Sequence, residues 1–113
     1  MVSRLKNTSV ALSSTDLTSL YTCPTNFKAI IREIFITNVD GSSAADITLS
    51  YTDTSASATF SLLSTVSVTA DNYIRLNDSF IILESGDILK AQASAANDIQ
   101  ISIFLEEILK PQG

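Results

Sequence analysis

The sequence predicts an all-β protein, an antiparallel β-sandwich of jelly-roll type with about eight strands. Several short segments alternate apolar and polar residues with a period of two, which places one face of a strand in a core and the other in water. Only 17% of the residues are charged, and Ser and Thr fill the polar positions instead, as suits solvated strands. Turn residues recur at intervals of roughly 8 to 14, the spacing typical of sandwiches.

The first three strands are expected near Val10, near Tyr21 and from Phe27 to Asn38. The spacing of the segment 13–16 is that of a capping box, which allows one helical turn between the first two strands. The third strand is unusual because both of its faces are apolar. Only one of these faces can meet the core of a two-layer sandwich, so either another subunit or loops of the same chain must cover the second face. The second face carries Ile30, Arg32, Ile34 and Ile36.

The fourth and fifth strands alternate most clearly. In the segment Ile47–Thr52 every second residue is apolar and is expected to point inward. Ala58, Phe60 and Leu62 repeat this pattern and are also expected to point inward. The phase of the alternation then slips by one residue near Leu62, which predicts either a bulge or a strand that passes from one sheet to the other.

The remaining strands follow turn residues at 71–72, 85–87 and 97–98. They comprise the runs Tyr73–Leu76 and Phe80–Leu83, a short strand from Ile88, and a last strand in which isoleucines alternate with polar residues from residue 99. Residues with helix propensity near the end of that strand predict a strand with a short terminal turn. Its adjacent Glu106 and Glu107 point to opposite faces, and we expect both to be solvated charges.

Composition and charge limit the possible partners. We expect residues 1–113 to form a single domain, with residues 1–8 as an N-terminal arm. The net charge is −5 and the seven basic residues are scattered along the chain, so binding to a nucleic acid is not expected. No apolar run has the length of a membrane span or the pattern of a signal peptide, which predicts synthesis in a cytoplasm and no membrane partner.

The sequence offers little for catalysis. A chain without histidine lacks the usual base for a Ser or Cys nucleophile, so we expect no enzymatic activity and no cofactor. The single cysteine, Cys23, is expected to be a small buried residue. Asp40, Asp46 and Asp53 flank one predicted hairpin and could bind calcium, although aspartates in turns usually stabilise the turn itself.

Four segments resemble small β-sandwich virion proteins of tailed bacteriophages, and the similarity covers about residues 10–105. The first segment resembles a central strand and its turn in those proteins. The segments are Ala29-Ile30-Ile31-Arg32-Glu33-Ile34-Phe35-Ile36-Thr37-Asn38-Val39-Asp40-Gly41-Ser42, Ala44-Ala45-Asp46-Ile47-Thr48-Leu49-Ser50-Tyr51-Thr52, Ser64-Thr65-Val66-Ser67-Val68-Thr69-Ala70-Asp71 and Ile82-Leu83-Glu84-Ser85-Gly86-Asp87-Ile88-Leu89.

The resemblance implies a component of the virion. The expected function is capsid decoration: a cement protein that binds the outer capsid surface as an oligomer and has the major capsid protein or another virion protein as its partner. Alternatives are a neck, tail or fibre component, or a carbohydrate-binding module. Sandwich lectins usually present exposed aromatic platforms, and the absence of Trp argues against the last alternative.

Two groups of residues are predicted to make the contacts of such a particle protein. A closed homotrimer would bury the second apolar face of the third strand, namely Ile30, Arg32, Ile34 and Ile36. The N-terminal arm would carry Arg4, Leu5 and Lys6 to the shell.

Overall fold

Eight antiparallel strands form in the computed structural model, which describes residues 2–110 except for the side chains of residues 78–80. Within the described residues the chain contains no helix. The strands are β1 (Ser3–Ala11), β2 (Thr18–Thr22), β3 (Phe27–Asn38), β4 (Ala45–Asp53), β5 (Ala58–Val68), β6 (Tyr73–Leu83), β7 (Ile88–Ala93) and β8 (Ile99–Leu109).

The strands form two four-stranded sheets that pack against each other. The first sheet has the order β1-β8-β3-β6 and the second has the order β2-β7-β4-β5. Every connection except the β4–β5 hairpin crosses from one sheet to the other, and this is the winding of an eight-stranded jelly roll. The predicted fold class is therefore confirmed. The two runs expected between residues 73 and 83 belong to the single strand β6, and the side chain of Phe80 lies outside the described residues.

The core lies between the sheets and takes apolar side chains from both. Burial of a Leu or Ile side chain in this core contributes roughly 1.5–3 kcal/mol to stability. Cys23 is buried among them, as predicted. The largest fully buried side chains are Leu12, Ile31, Ile34, Ile36, Ile47, Leu49, Leu83, Leu89, Ile99, Ile101, Ile103 and Leu105.

A bulge in β3 changes which residues of that strand face the core. Ile31 pairs with Leu105 of β8, whereas Glu33 pairs with the adjacent Phe104, so Arg32 is an extra residue in the ladder. One extra residue moves the following side chains to the opposite faces of the sheet. The expected subunit-interface residues Ile34 and Ile36 consequently lie buried in the core, and their assignment to an interface is wrong.

A second irregularity lies in β5, where the phase slip near Leu62 predicts a bulge. Leu49 of β4 pairs with Leu63 and the next residue pairs with Ser61, so Leu62 is the extra residue. The strand stays in the second sheet. Phe60 and Leu62 are exposed rather than buried: Phe60 lies beside Tyr51 at the free edge of the second sheet, and Leu62 is the bulge residue.

The aspartates of the loops stabilise turns. Asp40 accepts a hydrogen bond from the backbone N–H of Ser43, and Asp53 accepts one from the backbone N–H of Ser55. In the described part of the chain, no three carboxylate or thiol groups are placed to hold a metal ion. The segment 14–16 forms a bend in place of the helical turn that its spacing allows.

The turn before β7 requires glycine. Gly86 has a φ of +88°, and a Cβ atom there would lie 3.3 Å from the Oγ1 atom of Thr54. We expect Gly86→Ala to lower the free energy of unfolding by about 1 kcal/mol or more, as measured by urea denaturation. Gly41→Ala is the control, because Gly41 lies outside the left-handed region and its Cβ would meet only ordinary contacts. Equal losses for the two variants would contradict the expected strain at Gly86.

Candidate interaction surface

The expected N-terminal arm is a strand. Residues 3–8 pair with β8 in the continuous register that runs from Ser3↔Ile108 to Thr8↔Ile103, so the prediction of a free arm is wrong for this segment. Residue 1 of the arm, like residues 111–113 of the expected domain, lies outside the described residues. The alternation of β1 turns the side chains of Arg4 and Lys6 towards the second sheet and leaves Leu5 on the outside of the first sheet.

Arg4 and Lys6 contact Glu107, which is fully buried. The Nε atom of Arg4 donates a hydrogen bond to Glu107 Oε1 at 2.6 Å, and the Nζ atom of Lys6 lies 3.7 Å from Oε2. The hydroxyl of Tyr21 donates a hydrogen bond to the same Oε2 atom. Because Tyr21 belongs to β2, this cluster connects the edge strand of the first sheet to the second sheet. The prediction that Glu107 is a solvated charge is therefore wrong.

The cluster keeps Glu107 ionised. Burial is the largest influence on its pKa and acts to raise it, but the hydrogen bonds from Tyr21 and Arg4 and the charges of Lys6 and Arg4 outweigh burial and lower the pKa. Burial, followed by the hydrogen bond to Glu107, raises the pKa of Tyr21 well above its ordinary value. At neutral pH the phenol is thus a stable donor to a stable carboxylate.

The outward side of the first sheet exposes an unusual number of apolar side chains. Leu5 is 84% exposed, Tyr73 57%, Ile82 53% and Phe104 40%. Ile30 and Phe35 of the central strand β3 lie between them and are half-buried. We call this surface the apolar face, and it comprises Leu5, Ile30, Phe35, Tyr73, Ile82 and Phe104.

Three aromatic rings of the apolar face form a row across the sheet. The ring centroid of Phe35 lies 6.0 Å from that of Tyr73 and 6.2 Å from that of Phe104, which meets it edge to face. The guanidinium of Arg75 lies 5.6 Å from the Phe35 ring. These contacts hold the rings in fixed positions and make the row a rigid part of the surface.

Two ion pairs within the chain lie on the outward side of the first sheet. Arg32 donates a hydrogen bond to Glu106 at 2.6 Å, and this bond is the main cause that lowers the pKa of Glu106. Arg75 pairs with Glu33, also at 2.6 Å. Both carboxylates accept hydrogen bonds from arginines, an arrangement that favours binding over acid–base chemistry.

A shallow groove of about 340 Å³ crosses the β1–β8 side of the apolar face. Leu5, Asn7, Arg32 and Phe104 are among the residues that line it. The groove is open and combines apolar walls with one ion-paired arginine, so it can accept an apolar side chain from a partner.

The outward side of the second sheet has the opposite character. Its strands present mainly hydroxyl groups, such as those of Thr52 and Thr59, which hydrogen bond to each other at 2.8 Å. The hydroxyl of Thr48 accepts a hydrogen bond from the backbone N–H of Thr65, where the register of β5 shifts a second time between Leu63 and Val66. We call this surface the hydroxyl face. Several of its hydroxyl groups hydrogen bond to one another or to the backbone, which gives this face a polar character.

The structure divides the residues that the sequence singles out. Leu5, Ile30 and Arg32 lie on the outward side of the first sheet, whereas Arg4 and Lys6 contact Glu107 on its inward side and stay about half-exposed. The aromatic members of the face were not predicted from the sequence. The regular alternation of β8, in which Phe104 and Glu106 lie opposite the buried isoleucines, was a signal that could have placed Phe104.

None of the described residues forms a helix long and apolar enough to cross a membrane.

No family model matches the chain, and no curated protein sequence matches it. Several chains of solved structures resemble this one. A protein of the extra small virus of the giant freshwater prawn Macrobrachium rosenbergii, seen in a virus-like particle, is 10% identical, with a TM-score of 0.53 over 99% of this chain and 80% of that one.

A pentameric capsid protein from metagenomic phage sequences is 18% identical, with a TM-score of 0.45 over 94% of this chain and 64% of that one. The tumour necrosis factor Eiger from S. frugiperda is 13% identical, with a TM-score of 0.42 over 95% of this chain and 87% of that one. This chain thus spans less than two thirds of the phage protein. The likeness to the prawn virus protein shows a shared fold, and the other two are too distant to add to it.

Proposed function

We propose that this chain is a non-enzymatic structural protein of a virus particle, and specifically a decoration protein that binds the outer surface of a capsid as an oligomer. The observation that carries the proposal is the apolar face of the first sheet. Soluble proteins rarely expose large contiguous apolar patches unless a partner covers them. Here the patch lies on a rigid sheet, and its aromatic rings and ion pairs are held by contacts within the chain.

An oligomer on a particle surface needs one contact between its own subunits and another contact with the shell. The apolar face has the character of a contact between subunits, and the rest of the surface is left for the contact with the shell. Repeated modest contacts, multiplied by the symmetry of a particle, give firm attachment without any reactive group. The major capsid protein is the proposed partner of the oligomer.

The fold supports the same class of function. The jelly roll is shared with the prawn virus protein seen in a virus-like particle, and the sequence resembles virion proteins of tailed phages. We assign no number of subunits to the oligomer. The trimer expected from the sequence depended on an interface that included Ile34 and Ile36, and both residues lie in the core.

Immunoelectron microscopy tests the proposal. Antibodies raised against the purified protein are expected to label the capsids of the virus whose genome encodes this chain. Antibodies absorbed with the same protein are the control. Quantitative mass spectrometry of the particles should find the chain in a fixed ratio to the major capsid protein. Label on the neck, tail or fibres would replace decoration by a role in that part of the virion. Particles without label and without the chain would overturn the proposal.

A further inference from the structure

We infer that the apolar face binds a second copy of this chain, so that the first sheets of two protomers stack face to face. The inference rests on the proposed function, because it names the partner that covers the face in the oligomer. It follows from the charge of the face, its area and the way its edge is held in place.

Charge favours a second copy over a strongly charged partner. The chain has a net charge of −5, yet the arginines and glutamates on the apolar face neutralise each other in two ion pairs. Most of the negative charge therefore resides on the rest of the surface. Two acidic copies repel each other least when they meet through a compensated face, and a strongly charged partner would find few free charges to pair with.

The outward side of the first sheet, of which the apolar face is a part, has an area that fits a stable interface. Its strands are 9 to 12 residues long. Four strands of this length, spaced by about 4.8 Å and rising about 3.3 Å per residue, cover roughly 600–700 Å². Standard interfaces between proteins bury about 800 Å² on each partner, so a face-to-face stack that also covers the rim reaches this range.

Apolar residues extend across the whole width of the face. Leu5 lies on the edge strand β1, Phe104 on β8, Ile30 on β3 and Ile82 on the opposite edge strand β6. A two-fold stack therefore places apolar side chains against apolar side chains at the centre and at both edges, as an interface between identical surfaces requires.

The Glu107 cluster holds one edge of this face in position. Arg4 and Lys6 flank Leu5 in β1 and are both fixed inward on Glu107, so Leu5 must point outward onto the apolar face. Glu107 is thus a positioning residue for Leu5 and does not itself touch the partner.

Light scattering during size-exclusion chromatography tests the inference with two matched substitutions to glutamate. The unmodified protein is expected to be a dimer at high concentration. Ile82→Glu places a charge near the end of the edge strand β6, beside Ile30, and should weaken the dimer about 30-fold or more. Thr59→Glu places the same charge on the hydroxyl face and should leave the dimer intact. Circular dichroism and thermal unfolding of each variant verify that the fold is retained.

The possible results separate this inference from the proposed function. A monomer at all concentrations, or a dimer that Ile82→Glu leaves unchanged, would overturn the stacking of the first sheets, as would a dimer dissociated by Thr59→Glu alone. If Ile82→Glu fails to fold, Leu5→Glu on the opposite edge strand tests the same face by the same measurement. If the protein is a monomer in solution but antibodies label the capsids, the dimer is refuted and decoration stands. If the protein is a dimer but no particle is labelled, decoration is refuted and the dimer stands.

Discussion

Replacing Ile34 with alanine is expected to lower the free energy of unfolding by about 2–5 kcal/mol, the cost of deleting a large side chain from a packed core. Ile34 has no exposed surface and lies between the two sheets. Urea denaturation followed by circular dichroism measures the change. A variant with Ile34→Asp would place an unpaired charge in the same position and is not expected to fold.

Ile30→Ala is the matched control, because Ile30 belongs to the same strand but precedes the bulge and faces outward. It should change the free energy of unfolding by less than about 1 kcal/mol, as is usual for a side chain outside the core. A loss as large as that of Ile34→Ala would mean that the two residues share a face, and the bulge at Arg32 would then be wrong.

The second large effect is expected at Glu107. Glu107→Gln keeps the shape of the side chain and an acceptor for Tyr21 but removes the charge that Arg4 and Lys6 contact. We expect a loss of about 1.5–3 kcal/mol at neutral pH, the range for hydrogen bonds to charged groups. The loss stays below that of a fully buried ion pair, because both cations are half-exposed and remain solvated.

The effect should depend on pH in a defined direction. The pKa of Glu107 is lower in the folded protein than in the unfolded chain, so its contribution is fully present above the unfolded value of about 4.3 and is lost as the pH falls through the lower folded value. The difference between the parent protein and Glu107→Gln should therefore be constant from neutral pH to about 5 and shrink below that.

The neighbouring carboxylate provides the control for this experiment. Glu106 pairs with Arg32 on the exposed side of the sheet, where screening by solvent makes the contribution of an ion pair small. Glu106→Gln should therefore have a small effect at neutral pH. Equal losses in the free energy of unfolding for Glu106→Gln and Glu107→Gln would contradict the larger stabilisation that we expect from the buried cluster of Glu107.

Much of the fold could be predicted from local patterns. The alternation in β4 and β8 is regular because each strand has one face in the core, so period two alone identifies them. The faces of β3 could not be predicted in the same way. A single extra residue at Arg32 reverses the alternation, and the neighbouring isoleucines are consistent with either phase.

The Glu107 cluster shows a different limit. Two adjacent glutamates near the end of a strand suggest solvated charges, although the alternation of β8 places Glu107 on the same face as the buried Leu105. The groups that stabilise the buried carboxylate are distant in sequence, since Tyr21 lies 86 residues and Arg4 103 residues before it. Only the pairing of β1 with β8 brings these groups together, and local sequence carries no signal for that pairing.

The position of β8 has a consequence for the order of folding. This strand follows all the others in the sequence, yet it lies inside the first sheet, between β1 and β3. During synthesis on the ribosome, β1 and β3 therefore wait for their shared neighbour with unpaired edges, while β4 and β5 can already form their hairpin. Such non-local pairing slows folding and exposes edges to other chains. The inward charges of β1, which suit few partners other than Glu107, make its edge a poor template for wrong pairing during that interval.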